Sequence, residues 1–260
     1  MRLWGDPANK AVWTPAYCCR MSWHTGRLVA FDIETTGIDP ARDRIVTAAV
    51  SVVGGGQPSE HRSWLVDPGV EIPAGATAVH GITNERARTE GQDPREAVEE
   101  ITAALAEQLR SGVPVIAFNA RFDLTILDRE AHRHGCRPLT ERVGGAGGML
   151  VIDPHVLDKQ FDRFRRGKRT LGAVCEHYGV PFDEAHAAGA DALAAARLAY
   201  RLGSTVEELR DLDLPVLHRE QITWAAEQAA SLQDYFQRQG RNEHVEGAWP
   251  VIPEALPQAA

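Results

Sequence analysis

The stretch LVAFDIETTG, residues 28–37, decides the fold. Its apolar start predicts a buried strand over Leu28–Ile33, and residues 35–37 predict the turn that ends the strand. Asp32 and Glu34 are two residues apart, so a strand directs both carboxylates to the same face. Neighbouring carboxylates repel each other unless a cation lies between them, and a hard cation such as Mg²⁺ or Mn²⁺ suits these oxygen ligands. The alternative is a solvated strand end with a capping aspartate.

Further strands and helices follow along the chain, as apolar runs and helically spaced apolar residues indicate. The predicted strands are Ile45–Val53, Glu60–Val66, Val113–Phe118 and Met149–Ile152. The predicted helices are Pro94–Leu109, Phe122–His134, Thr170–Tyr178 and Asp191–Leu202. The resulting order, βββαβαβαα, predicts an α/β fold in which helices flank one mixed five-stranded sheet.

The chain divides into three segments by pattern. Residues 1–26 have no clean periodicity and are expected to form a flexible tail, and Met21 within them offers a second translation start that intact mass would test. Residues 27–203 hold the predicted domain. Residues 204–260 are expected to form a C-terminal extension, with a helix over Arg219–Arg238 and a Pro-rich tail.

Composition narrows the class of protein only modestly. A net charge of −8 argues against a protein that coats nucleic acid, but a carboxylate-rich metal site also adds negative charge that bound cations neutralise. No apolar run is long enough for a membrane helix, and the first residues do not resemble a secretory signal. The four cysteines form no CxxC pair, which favours a reducing cytoplasm.

Two later segments carry further acidic residues at the ends of predicted elements. In FNARFD, residues 118–123, Asp123 falls in the first turn of a helix, where the helix dipole favours a carboxylate. In HAAGAD, residues 186–191, His186 falls in a loop and Asp191 at a helix start. Taken one at a time, these residues are explained equally well as a helix carboxylate, a surface histidine and a helix cap.

Taken together, the three segments resemble the motifs of the DEDDh 3′–5′ exonuclease family. This family includes the proofreading epsilon subunit of replicative polymerases, ribonuclease T and oligoribonuclease. Asp-x-Glu-Thr-Thr-Gly matches its first motif, Asn-x-x-Phe-Asp its second and His-x4-Asp its third, in the family's order, over residues 27–203. The resemblance implies a ribonuclease H-like fold and hydrolysis of the terminal phosphodiester, with release of nucleoside 5′-monophosphates.

The resemblance also implies a role for each matching residue. Two divalent metal ions, Mg²⁺ or Mn²⁺, are expected about 3.5 to 4 Å apart, one activating the attacking water and the other stabilising the leaving 3′ oxygen. Asp32, Glu34 and Asp191 would bind the first ion. Asp32 would also bind the second, with Asp123 contributing directly or through water. His186, with a reference pKa of about 6.5, would be the general base.

Substrate contacts are expected from several segments. Val79 and His80 lie in VHGIT, residues 79–83, which resembles the family's lining of the terminal-nucleotide pocket. The basic run RFRRGKR, residues 163–169, would guide phosphates to the metals, unless it is only a solvated loop. Phe122 would pack near the base or in the core. The candidate substrate-binding residues are Thr35, Thr36, Val79, His80, Asn119, Phe122, Arg165 and Arg166.

The expected function is that of a stand-alone exonuclease acting on 3′ ends of single-stranded DNA, in repair or end trimming. One alternative is an exoribonuclease of the ribonuclease T or oligoribonuclease type, since recognition of the 2′-OH depends on geometry. The C-terminal extension, which oligoribonuclease-type members lack, favours DNA. Another alternative is a proofreading subunit that acts mainly in a DNA polymerase complex. Because all five catalytic residues are present, an inactive scaffold is disfavoured.

Overall fold

The centre of the protein is a five-stranded sheet of strand order β3-β2-β1-β4-β5, seen in a computed structural model that describes residues 22–182 and 188–254. The strands are β1 (Arg27–Thr35), β2 (Ile45–Gly54), β3 (Glu60–Leu65), β4 (Val115–Ile116) and β5 (Val151–Ile152). β2 pairs antiparallel with both β1 and β3, whereas β4 runs parallel to β1 and β5. The mixed five-stranded sheet predicted from the sequence is confirmed.

Helices cover both faces of this sheet. Within the described residues the α-helices are α1 (Ala74–His80), α2 (Asn84–Glu90), α3 (Pro94–Arg110), α4 (Ala120–Arg133), α5 (Leu139–Arg142), α6 (Pro154–Phe161), α7 (Leu171–Tyr178), α8 (Ala188–Thr205), α9 (Glu207–Arg210) and α10 (Leu214–Arg238). Each helix predicted from periodicity is present, with ends that differ by up to five residues. The helices not predicted are short, and their few turns give little periodic signal.

Alternation along β1 explains how the two faces are built. Val29, Phe31 and Ile33 point into the larger core with residues of α3 and α4, whereas Leu28 and Ala30 point to the opposite face. Because the side-chain period of a strand is two, Asp32 and Glu34 share the face of Leu28 and Ala30. That face is covered by α8, whose alanines Ala192 and Ala196 pack directly on Ala30.

β4 and β5 are much shorter than the apolar runs that predicted them. Pro114 precedes β4 and has no N–H to give to a neighbouring strand. After Phe118, Asn119 adopts a left-handed conformation with φ of 63°, which turns the chain into α4. The apolar run is therefore fully buried only over residues 114–117, and only Val115 and Ile116 keep strand geometry.

The expected tail is wrong for residues 22–26, which pack on the domain. Trp23 is only 6% exposed, and its indole Nε1 donates a hydrogen bond of 2.6 Å to the carbonyl of Leu209. His24 lies so close to Gly203 of α8 that a Cβ there would approach it to 2.6 Å. Two aromatic residues thus dock into a recess that only glycine leaves open. Residues 1–21 lie outside the described part of the chain.

The C-terminal extension packs along the β5 edge of the sheet. Gln221 of α10 accepts the backbone N–H of Asp153 at 2.7 Å and donates to the carbonyl of Val151 at 3.0 Å. The chain then returns, and Trp249 is buried against His218. Among the helices of residues 22–182 and 188–254, none has the length and apolar character needed to cross a membrane.

Candidate active site

Three carboxylates meet where β1 faces the start of α8. One carboxylate oxygen from each of Asp32, Glu34 and Asp191 lies within 4.8 Å of the others. The alternation of β1 presents the first two, and the close alanine packing of α8 brings Asp191 to the same place. Asp191, more than 150 residues from the other two in sequence, is thus brought beside them by the packing of one helix on the sheet.

Asp123 lies beside this trio, in the first turn of α4. It is buried, and its Oδ1 accepts a hydrogen bond of 3.2 Å from the backbone N–H of Ile33. Ile33 stands between Asp32 and Glu34 on β1, so this bond ties the second motif to the first. After burial, the charge of Asp123 is the next largest cause of the raised pKa of Asp32, as expected for two neighbouring carboxylates.

The electrostatics of the cluster are unfavourable without a counter-charge. Burial raises the pKa of Asp32 well above its usual range, and the charges of Asp123, Asp191 and Glu34 add to this effect. Burial, with the charge of Asp191, raises the pKa of Glu34 to about 7. Converging oxygen ligands that repel one another are the donor set that Mg²⁺ or Mn²⁺ prefers. The residues present therefore fit a divalent cation.

A fifth acidic residue, Asp153, supports the site without joining it. Its buried carboxylate accepts the backbone N–H groups of Asn119, Ala120 and His155, each at 2.9 Å, and the indole N–H of Trp249 at 3.3 Å. It thus caps α6 and also holds the start of α4, the helix that carries Asp123. The sequence signal was Asp153-Pro154, an N-cap followed by proline at the first helical position, after β5.

The segment VHGIT lies against the end of β1. The imidazole of His80 is close to the backbone of Thr35, and its Nδ1 accepts the backbone N–H of Ile82 at 3.1 Å. Burial lowers the pKa of His80, so the ring is neutral near pH 7. Val79 is 50% exposed, a large fraction for an apolar side chain at the edge of a site. This arrangement leaves Val79 available to contact a substrate.

Thr35 and Thr36 are buried at the same edge, but their hydroxyls have local partners. Thr35 Oγ1 donates to the carbonyl of Gly37 at 2.6 Å, and Thr36 Oγ1 donates to Asp43 Oδ1 at 2.7 Å. These bonds hold the loop that follows β1. Any contact of these two threonines with a substrate would therefore use their backbone groups.

Other predicted substrate-binding residues have structural roles. Phe122 is half-buried and packs against the larger core, and Asn119 uses its backbone N–H to bind Asp153. Arg165 forms an ion pair with the buried Asp158 at 2.8 Å, and Arg169 forms a second one at 2.5 Å. Of the predicted pair in the basic run, only Arg166 is exposed. His186 lies in residues 183–187, outside the described part of the chain.

Comparison with known proteins agrees with this geometry. A family model described as exonuclease matches residues 29–199. The chain is 30% identical over 198 residues to the 3′-5′ exonuclease DinG of Bacillus subtilis, a match covering 74% of this chain and 19% of that protein. It is 29% identical over 195 residues to DNA polymerase III PolC-type of Streptococcus agalactiae, covering 74% of this chain and 12% of the polymerase. The chain thus matches only a fifth or less of the length of these relatives.

Solved structures show the same ribonuclease H-like fold. A structure of exonuclease I superposes with a TM-score of 0.61 at 20% identity, covering 72% of this chain and 42% of the other. The zinc-bound complex of Escherichia coli exonuclease I with single-stranded DNA superposes with a TM-score of 0.60, also at 20% identity, with the same coverage.

Proposed function

The chain belongs to the exonuclease family, and we propose that it is a metal-dependent 3′–5′ exonuclease that releases nucleoside 5′-monophosphates from single-stranded DNA. The observation that carries the proposal is the meeting of Asp32, Glu34 and Asp191 within 4.8 Å, with Asp123 beside them. Four carboxylates at one sheet edge are costly to a fold unless they hold a cation.

The residues of the site would act as follows. Bound there, two divalent ions would supply an activated water and charge stabilisation for the leaving 3′ oxygen. Asp32, Glu34 and Asp191 would hold the first ion, and Asp32 together with Asp123 the second. His186 would take the proton of the attacking water, a proposal supported by its spacing of five residues before Asp191 and by the reference pKa of histidine, about 6.5.

The terminal nucleotide would lie between the end of β1 and the segment VHGIT. Val79, exposed beside the site, would contact the base. Neutral His80 would orient that segment through its hydrogen bond with Ile82, and the backbone around Thr35 would meet the terminal sugar. These contacts would place the last phosphodiester next to the carboxylates, which is the geometry that an exonuclease needs.

Three observations bear on the polymer, the partner and the location, and DNA is the favoured polymer. Two solved exonuclease I structures are described as complexes with the oligonucleotides dA16 and dT13. Similarity to polymerase III PolC-type supports association with a DNA polymerase. The buried thiols Cys136 and Cys175 are free, which supports a reducing cytoplasmic location.

The test is digestion of 5′-labelled single-stranded DNA and of the matching RNA, with Mg²⁺, with Mn²⁺ and with EDTA. We expect a ladder that shortens from the 3′ end, that disappears with EDTA and with Asp32→Asn, and that forms faster on DNA. Asp211→Asn is the control, since Asp211 is an exposed aspartate on another helix end. Faster digestion of RNA would assign the exoribonuclease activity instead, and a ladder that persists in EDTA would contradict metal dependence.

A further inference from the structure

A groove runs between α6 and α10, and its lining has four cationic side chains and three carboxylates. Its inner cavity, of about 150 Å³, is lined among others by Arg121, His155 and Lys159. Its outer cavity, of about 610 Å³, is lined by Lys159, Arg163 and Tyr235, with Glu227 on the α10 side. Both cavities share Lys159, Gln228 and Leu232, so they are parts of one continuous groove, called here the α6–α10 groove.

The groove lies on the same edge of the sheet as the carboxylates. β1, β4 and β5 are parallel neighbours, so their carboxyl ends meet at one edge. Asp32 and Glu34 stand at this end of β1, whereas α4 and α6 start after β4 and β5. Arg121 is two residues from Asp123 on α4. A strand whose 3′ end lies at the carboxylates can therefore continue along this edge into the groove.

Within the described part of the chain, the cations of the inner cavity form no close ion pair, although the carboxylates of Asp153 and Glu246 also line it. Among the described residues, neither Arg121 nor Lys159 has a carboxylate within 4.0 Å. The nearby Asp153 is bound by backbone N–H groups, and Asp158 by Arg165 and Arg169. Arg121 donates to the carbonyl of Glu246, but its Nε is buried without a partner.

Two of these groups, Lys159 and His155, are held where burial disfavours their charged forms. Burial is the largest effect on the pKa of Lys159 and lowers it; the charge of Asp153 opposes this, the charges of Arg121 and Arg169 lower the pKa further, and Asp158 again opposes, with a net lowering. Burial lowers the pKa of His155 to about 3, so its ring is neutral and adds no charge. Groups that are unfavourable for stability mark sites where function selects them.

We propose that the α6–α10 groove binds backbone phosphates of the nucleic acid whose 3′ end lies at the carboxylates. The guanidinium of Arg121 offers a fork of donors to a phosphate, and Lys159 a point charge. Tyr235, 50% exposed on the far wall, offers a ring on which a base can stack. The proposal rests on the proposed function and adds the path of the strand upstream of the reacting phosphodiester.

The experiment compares Arg121→Gln and Lys159→Gln with Arg95→Gln, an exposed arginine at the start of α3. Each variant is assayed on a 5′-labelled oligothymidylate and on the p-nitrophenyl ester of thymidine 5′-monophosphate, which has no upstream phosphate. For each groove variant we expect the oligonucleotide KM to rise about tenfold more than the ester KM. The slope of log KM against log salt should become shallower by about 0.7. Arg95→Gln should change neither.

Two further measurements separate the possible causes of a loss. Melting temperatures test folding, and Lys159→Gln should melt no lower than the wild type, because burial disfavours the charge of Lys159 more than the neighbouring carboxylates favour it. Fluorescence anisotropy of the oligonucleotide in EDTA measures binding without hydrolysis, so an inactive wild type would refute the proposed function but leave the groove testable. Unchanged Kd and KM in both groove variants would overturn the proposal, as would equal losses on ester and oligonucleotide.

Discussion

Asp32, Glu34 and Asp191 bring three carboxylates within 4.8 Å of one another, at a strand end that is partly buried. Asp191 lies more than 150 residues from the other two in sequence, and the docking of α8 on β1 is what joins them. Burial, and after it the repulsion by neighbouring carboxylates, raises the pKa of Asp32 and of Glu34. At the scale of single residues, the site is therefore a strained set of charges that a cation would relieve.

A divalent cation is expected to stabilise the folded protein by binding the native state alone. Adding Mn²⁺ to metal-free protein should raise the melting temperature by about 3 °C or more at saturating metal. Asp32→Asn should melt higher than the wild type in EDTA, because one repelling charge is removed, and should respond less to Mn²⁺. Calorimetry checks this, with Asp211→Asn as control. Equal responses of wild type and Asp32→Asn would contradict the assignment of the ligands.

Helices and strands hold the site residues in place, and Asp153 links two of these helices, α4 and α6. Its carboxylate satisfies N–H groups at the starts of α4 and α6, and Gln221 and Trp249 bring α10 and the C-terminal segment to the same point. Asp123 depends on the position of α4. Asp153 is therefore a positioning residue for the second motif.

Asp153→Ala should leave buried N–H groups without an acceptor and reduce the free energy of unfolding by on the order of 3 kcal/mol. The rate constant kcat should also fall, because α4 carries Asp123, while KM changes little. The matched control is Asp93→Ala, which removes the exposed N-cap of α3 and should cost about 1 kcal/mol with activity kept. Denaturant titration and steady-state kinetics check both, and equal costs for the two caps would contradict the linking role.

The contact between α10 and β5 predicts that the free energy of unfolding falls in acid. His218 of α10 accepts the backbone N–H of Val151 through Nδ1 at 3.2 Å, and burial lowers its pKa. The folded state therefore binds fewer protons here than the unfolded chain, whose histidines titrate near 6.5. Stability from this group is complete above about pH 6.5 and is lost as the pH falls towards and through the folded pKa.

Urea denaturation measured at several pH values between about 7.5 and about 5 checks this expectation. His218→Gln should lessen the decline in free energy of unfolding, whereas His244→Gln, at an exposed histidine, should follow the wild type. A decline as steep in His218→Gln as in the wild type would assign the acid sensitivity to other groups.

Sequence reasoning located the sheet and the four carboxylates because both signals are local. The alternation of LVAFDIE fixes which face of β1 is polar, and the apolar runs fix the other strands. Asp153 was missed as a support, since its partners come from three separate segments of the chain. The ion pair of Arg165 was not foreseen, because its buried partner Asp158 is seven residues away, on a helix that was not predicted.

The whole molecule is closed by its C-terminal segment, which crosses α4. Arg129 donates to the carbonyl of Ile252 at 2.7 Å, and the N–H of Ile252 donates to Thr125 at 3.0 Å. Arg121 reaches the carbonyl of Glu246, and Trp249 is buried against His218. The extension is therefore part of the support of α4, the helix of Asp123.

Truncation after Gly240 removes all of these contacts and exposes the apolar surface that Trp249 covers. We expect a lower melting temperature and a loss of activity that Mn²⁺ only partly restores, because α4 loses its outer support. Trp249→Ala is the milder variant and should cost about 3 kcal/mol, as other buried tryptophans do. A truncated protein with wild-type melting temperature and rate would show that the segment has no supporting role.

The most direct test of the central claim is the identity of the first product. A single-stranded DNA whose 3′-terminal nucleotide differs from all others is incubated with Mg²⁺, and the released mononucleotide is identified by mass spectrometry. The account predicts that the unique terminal nucleoside appears first, as its 5′-monophosphate, and that Asp191→Asn releases none. A first product from the 5′ end, a 3′-monophosphate, or unchanged release by Asp191→Asn would contradict it.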